Sequence, residues 1–242
     1  MIRWRLSNHI ATLTLDRGGA RNAIPVAGWN ALADAASEIG SSGARAVILD
    51  SAAAGAFSAG ADLGEFRQLV VSPELRSRFR ETMKAGIDGV ARLPMPVIAA
   101  VDGGCFGAAV ALTLACDIVV AGDDAVFATT PAKLGLSYPA GDVARLRARV
   151  GEGTAALMLF TGDRMDADVA LAVGLAQVRA SRAGDRARDL ANAIAANVPE
   201  AVAKLKQVLR EPKAVHHDAA FDAAFGSAPF AQRLGAFLDG KR

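Results

Sequence analysis

The sequence predicts an α/β fold with a parallel sheet, followed by an all-helical C-terminal part. Three observations carry that prediction. Short apolar runs at 46–50, 97–101 and 117–122 are separated by segments of helical periodicity, and strands alternating with helices pair in parallel through crossovers. Two strand–loop–helix junctions, around 51–63 and 102–108, are rich in Gly, Ala and Ser. Near residue 180 the composition turns Ala-rich, and from there only a helical pattern remains.

The elements follow in order. The first fifteen residues alternate apolar and polar, with Ile10, Leu13 and Leu15 apolar, and suit a strand or hairpin that includes His9. Residues 25–40 open on Pro25, a good helix starter, and set Trp29, Leu32, Ala36 and Ile39 at helical spacing. A strand at 46–50 and a loop at 51–61 lead into helical segments through about 91. Pro94 and Pro96 stop the helix before the strand at 97–101. A turn at 102–106, a helix at 107–115 and a strand at 117–122 repeat the unit. After 142 the pattern is nearly all helical, with segments near 142–150, 153–160 and 166–173. An amphipathic run from 182 to 211 breaks at Val198-Pro199, Pro212 closes it, and two short helices fill 215–239. Residues 1–181 are therefore expected to form the α/β core, and 182–242 a helical region too short to bury a core of its own. Such a region must pack on the core or on another subunit.

The bulk properties narrow the function. At 242 residues with 52% hydrophobic content, the chain can bury a sizeable core. A formal charge of +2 argues against nucleic acid as the partner. No apolar run is long enough to span a bilayer, and the N-terminus lacks a signal-peptide pattern, so a cytoplasmic protein is expected. Cys105 and Cys116 read as packed free thiols. His9, His216 and His217 have no metal-ligand spacing around them, and no metal site is expected.

The two small-residue junctions are the chemical signal. Backbone N–H groups at two such turns can converge on one oxygen and stabilise negative charge there. The plain alternative is that small residues only permit tight strand–helix packing.

At these junctions the chain resembles the crotonase superfamily, the enoyl-CoA hydratase/isomerase family. The resemblance rests on six segments in order: 21–24 (RNAI), 57–63 (FSAGADL), 101–108 (VDGGCFGA), 115–122 (ACDIVVAG), 159–164 (LFTGDR) and 166–175 (DADVALAVGL). It implies a spiral of ββα repeats with a C-terminal helical trimerisation region, and homotrimers or hexamers. It also implies an acyl-CoA substrate whose thioester oxygen is held, as an enolate forms, by the N–H groups of Ala61 and Ala108, the latter helped by its helix N-terminus. Substrate contacts are implied at Arg21, Ala23, Ala59, Asp62, Leu63 and Gly107, with Arg21 facing a CoA phosphate. Asp62 is expected to fix its own loop through side-chain-to-backbone bonds. Coenzyme A enters as part of the substrate, and no separate cofactor is expected.

The family's hydratases split water with two glutamates, and this chain departs from them. The matching positions hold Ala111 and Pro131, and Pro139 stands where isomerases carry an aspartate. None of these side chains transfers a proton. The run Thr130-Pro-Ala-Lys-Leu-Gly-Leu-Ser-Tyr138 is similar to one in methylmalonyl-CoA decarboxylases of the superfamily. There, hydroxyls orient a carboxylate for loss of carbon dioxide, so Thr130 and Tyr138 join Ala61 and Ala108 as candidate catalytic positions. Ordinary roles compete: a helix cap for Thr130 and a packed ring for Tyr138. The spare carboxylates nearby are Asp142, expected to cap a helix at 143–150, and Glu65, expected on a solvated helix face. Three readings stay open: an enolate-stabilising enzyme of the family, a decarboxylase, and a non-catalytic acyl-CoA-binding pseudoenzyme.

Overall fold

The computed structural model describes residues 1–240. Residues 1–195 form one compact unit, and the described residues from 196 onward form a second.

In the first unit, β1 (Ile2–Ser7) and β2 (Ile10–Leu15) make an antiparallel hairpin. Its two-residue turn is Asn8-His9, both with positive φ, 49° and 61°, as the hairpin twist demands. His9 thus sits in the turn rather than in a strand. Helix α1 (Val26–Gly40) follows, then β3 (Ala46–Ser51), β4 (Ala56–Ser58), α2 (Phe66–Val71) and α3 (Pro73–Arg92). Next come β5 (Val97–Val101), β6 (Gly104–Phe106), α4 (Ala108–Leu114), β7 (Ile118–Gly122), β8 (Val126–Ala128) and α5 (Ala140–Thr161). The unit closes with β9 (Met165–Asp166), α6 (Ala167–Ala172), β10 (Val178–Ala180) and α7 (Ala183–Ala195).

The expected spiral of ββα repeats is present. In each turn a long strand (β3, β5, β7) joins a six-stranded sheet in the order β1-β2-β3-β5-β7-β10, parallel except at β1. A short strand (β4, β6, β8) then joins a second, four-stranded sheet, and a helix follows. The long strands read as continuous apolar runs because both faces of the large sheet are covered. Val47 and Leu49 face the main core with Trp29, Leu32 and Ile87. Ala46 and Ile48 face the other way, against Ala183, Ala187 and Ala191 of α7.

That packing moves a boundary. The expected division at 181/182 falls before α7, yet α7 lies on the sheet, with Leu190 and Ile194 against the same cluster. Three alanines on one helical face allow close approach to the strands, so this helix completes the first unit. The short strands β4, β6, β8, β9 and β10 fall in stretches where no strand is expected from the sequence. Each has only two or three residues, too few for a period to register. Helix α5 fuses two expected helices across a kink at Gly151, where φ is 79°.

The second unit holds α8 (Pro199–Arg210), α9 (His216–Ala224) and α10 (Ala228–Asp239). Phe225 stacks edge-on against Phe221 and Phe230, with ring centroids 5.2 and 5.3 Å apart. Leu209, Phe221 and Phe237 are exposed. Among the described residues no helix is long and apolar enough to cross a membrane.

Candidate active site

The turn after β4 is held by local and long-range bonds together. Asn22, fully buried with φ of 53°, shares its amide hydrogens among the Leu15 carbonyl, Ser51 Oγ and the Phe57 carbonyl, at 2.8–3.1 Å. Its side-chain oxygen accepts from Arg17 N at 2.6 Å. Ser58 Oγ donates to the Asn22 carbonyl and accepts from Gly60 N. Ile24 then bridges the turn: its N–H donates to the Gly60 carbonyl at 2.7 Å, and its carbonyl accepts from Asp62 N at 3.0 Å. In a parallel bridge of this kind Ala61 points its own N–H away from Ile24.

Asp62 does fix its loop. Its Oδ1 accepts from Gly64 N at 2.9 Å, and its Oδ2 pairs with Arg17 Nη1 at 2.6 Å. The hydrogen bond from Arg17, followed by that from Gly64 N, holds its carboxyl below the usual range. Arg17 also donates to the Ala23 carbonyl at 2.8 Å. Ala23 is thereby part of the frame, and Ala59 is tied to the Arg21 carbonyl through its N–H. Arg21 and Leu63 are exposed. Glu65 departs from expectation: its carboxylate accepts from Val26 N at 2.8 Å and so anchors the start of α1 rather than lying on a solvated face.

The turn before α4 is built differently. Gly107 N donates to the Ala128 carbonyl at 2.9 Å. Gly107 itself has φ of 53° and ψ of −122°, a conformation open only to glycine. The two turns touch backbone to backbone at Gly60, whose φ is 86°. A Cβ there would collide with the Phe106 carbonyl and lie 2.9 Å from Ala108 N. Neither Ala61 N–H nor Ala108 N–H finds an acceptor among the described residues. Two neighbouring turns therefore offer free donors to an outside oxygen. Helix α4 has only seven residues, so its dipole adds little to them.

Two hydroxyls flank the Gly107 turn. Tyr138 is half-buried, and its hydroxyl donates to the Gly107 carbonyl at 2.7 Å. Burial first, then the nearby Asp142 carboxylate, pushes the phenol well above its ordinary range, so it stays protonated. Thr130 Oγ1 lies 3.7 Å from where a Gly107 Cβ would be. Thr130 stands at the head of a 3-10 turn, Pro131–Leu134, but its hydroxyl does not cap it and has no hydrogen-bond partner among the described residues. Its neighbour Thr129 is spent on structure, donating to the Met158 carbonyl at 2.7 Å.

The nearby carboxylates are committed elsewhere. Helix α5 begins at Ala140, so Asp142 lies inside its first turn instead of capping it. Asp142 is buried and pairs with Arg145 at 3.0 Å, while Arg145 also pairs with Asp88, which Lys84 reaches. Burial raises the Asp142 carboxyl above its ordinary range, and the Arg145 charge opposes that. Ala111 is buried in α4 and Pro131 begins the 3-10 turn. Among the described residues no group of His, Cys, Asp or Glu is placed to hold a metal ion.

Sequence reasoning missed Arg17, the structural use of Asn22, and Glu65. Their partners lie 45, 35 and 39 residues away, so no local spacing could reveal them.

A ββα spiral with uncommitted backbone donors in two neighbouring turns has the means to stabilise negative charge on an oxygen. Comparison with known proteins agrees. The pattern of the enoyl-CoA hydratase/isomerase family matches residues 5–226. A probable enoyl-CoA hydratase of Mycobacterium tuberculosis is 32% identical over 223 residues, covering 90% of this chain and 88% of its own length. A short-chain-enoyl-CoA hydratase of Clostridium acetobutylicum is 32% identical over 92% of this chain and 85% of its own. The crystal structure of a protein assigned to the same family from Hyphomonas neptunium superposes with a TM-score of 0.94 at 33% identity, covering 99% of this chain and 95% of that one. The chain belongs to the enoyl-CoA hydratase/isomerase family.

Proposed function

We propose that this protein binds an acyl-CoA thioester with its carbonyl oxygen between Ala61 N–H and Ala108 N–H, and stabilises the enolate that forms there. The observation that carries this reading is that both donors are free while their turns are held in backbone contact at Gly60. Arg21, exposed and outside every ion pair of the described residues, suits a CoA phosphate. Coenzyme A arrives with the substrate, and no other cofactor has a role. Hydration by paired glutamates is set aside, because Ala111 and Pro131 hold those positions.

A second reading is loss of carbon dioxide from a carboxylated acyl-CoA. The bond from the α-carbon to the carboxylate breaks, its electron pair enters the enolate, and the α-carbon then takes a proton from water. The free Thr130 hydroxyl beside Gly107 favours it. Tyr138 is a weaker candidate for gripping a carboxylate, since its proton is already given to the Gly107 carbonyl. A non-catalytic acyl-CoA-binding protein would use the same two donors. The exposed apolar residues of the second unit suit a homotrimer or hexamer, and the setting we assign is the cytoplasm.

The test is a product screen by mass spectrometry across acyl-CoAs, with Ala108→Pro beside the wild type. Proline removes one donor at a first helical position, and Gly107 already holds the mirror image of the extended conformation favoured before proline. Crotonyl-CoA hydration is expected to fall roughly 10²–10⁴-fold short of an ordinary hydratase. Folded Ala108→Pro protein should lose turnover, or acyl-CoA affinity if there is none. If it binds and processes acyl-CoA like wild type, the reading is wrong.

A further inference from the structure

We infer that Tyr138 is a positioning residue that sets and strengthens the Ala108 N–H donor through the peptide group that Ala108 shares with Gly107. This rests on the enolate-stabilising reading and assigns a part of that site which the paired turns alone leave undetermined.

The argument is geometric. The Gly107 carbonyl and the Ala108 N–H are the two ends of one peptide unit. That unit is trans, since none of the described peptide bonds is cis, and a trans peptide is planar with its C=O and N–H pointing in opposite directions. Whatever fixes the oxygen therefore fixes the donor. The Tyr138 hydroxyl donates to that oxygen at 2.7 Å.

The peptide needs fixing. With φ of 53°, Gly107 would ordinarily settle in the left-handed well near ψ of about +47°. It is found at ψ of −122°, so the 107–108 peptide is turned roughly half a revolution from that alternative. No Cβ restrains Gly107, and the nearest atom to the space one would fill is Thr130 Oγ1 at 3.7 Å. Packing does not hold this orientation; two hydrogen bonds on the carbonyl do, one from Val110 N–H in the first turn of α4 at 2.9 Å and one from Tyr138.

The same bond has an electronic effect. A donor on an amide oxygen draws charge through the peptide and makes its N–H a stronger donor, the cooperative gain expected of chained hydrogen bonds. Tyr138 is suited to this because burial keeps its proton in place across the working range of pH. In the first turn a backbone donor, not a side chain, takes this place. The Gly60 carbonyl, at the other end of the Ala61 N–H peptide, accepts instead from the Ile24 backbone.

The experiment uses butyryl-CoA labelled with ¹³C at the thioester carbonyl, and S-butyl-CoA, which lacks that carbonyl. Wild type should bind the thioester more tightly than the thioether and shift its carbonyl stretch to lower frequency. Tyr138→Phe should lose about tenfold of that preference, the most that one neutral hydrogen bond ordinarily contributes, and most of the frequency shift, with thioether affinity unchanged. Tyr138 is the only tyrosine in the chain. Growth on 3-fluorotyrosine therefore replaces this ring alone with a stronger donor, and should enlarge the frequency shift.

A Tyr138→Phe protein that keeps the shift and the preference overturns the inference while leaving the enolate reading intact. Equal loss of thioester and thioether affinity overturns it as well, since that marks a packing role only. If Tyr138→Phe does not fold, the fluorotyrosine protein decides, and an unchanged shift overturns the inference. Absence of any shift or preference in wild type removes the enolate reading and this inference together.

Discussion

The turn at Gly60–Asp62 and the turn at Gly107–Ala108 present similar donors but are secured in opposite ways. The first is over-determined. Asn22, Ser58, Arg17 and the Ile24 bridge each bind it, and a Cβ on Gly60 has no room against the Phe106 carbonyl. The second has open space around Gly107 and relies on few bonds, one of them from a tyrosine 31 residues further along. A crowded turn keeps its shape through many small contributions. A sparse one can be tuned through a single contact.

Replacing the two glycines breaks or sharpens this contrast most directly. Gly60→Ala adds a collision with backbone to the strain of a positive φ, and should destabilise the protein by about 2–6 kcal/mol. Gly107→Ala meets no atom closer than 3.7 Å and should cost only the strain, about 1–3 kcal/mol. Denaturant unfolding of both variants checks the ranking, and equal costs would dissolve the distinction between the turns.

Asn22→Ala should fall between those two, at about 2–4 kcal/mol, because it strands several buried partners at once, including the Leu15 and Phe57 carbonyls. A loss below about 1 kcal/mol would mean that the first turn is not held from this side chain.

The smallest effect belongs to Asp62→Asn. Its pair with Arg17 is partly exposed, so roughly 0.5–1 kcal/mol is expected near neutral pH. The sign with pH follows from the lowered carboxyl of Asp62. The pair's contribution is complete above the ordinary aspartate value of about 3.9 and fades as pH falls through the lower folded value. Wild type and Asp62→Asn should therefore converge in stability in acid. A gap that widens there would place the stabilisation elsewhere.

The contrast extends to what could be read in advance. The apolar runs at β3, β5 and β7, the helix at 26–40 and both small-residue junctions follow from local pattern, because burial of a strand or a helix face writes a period into the sequence. The five short strands do not, since two or three residues carry no period and their partners lie on distant turns of the spiral. The candidate site divides along the same line. The small-residue junctions stand out locally, while Ala61 and Ala108 within them, and the glutamate positions assigned to Ala111 and Pro131, are read only through the family resemblance. The expected cap by Asp142 fails because α5 starts at Ala140, before the aspartate that suggested its edge.

By itself, then, the sequence determined the alternation of strands and helices, the two small-residue junctions and the family they mark, because these depend on neighbours along the chain. The tertiary structure alone decided that Gly60 meets Ala108, that Asp62 answers Arg17, that α7 belongs to the sheet, and that the Tyr138 proton lies on the Gly107 carbonyl. Each of these joins residues far apart in the chain, and such contacts exist only once the spiral has closed.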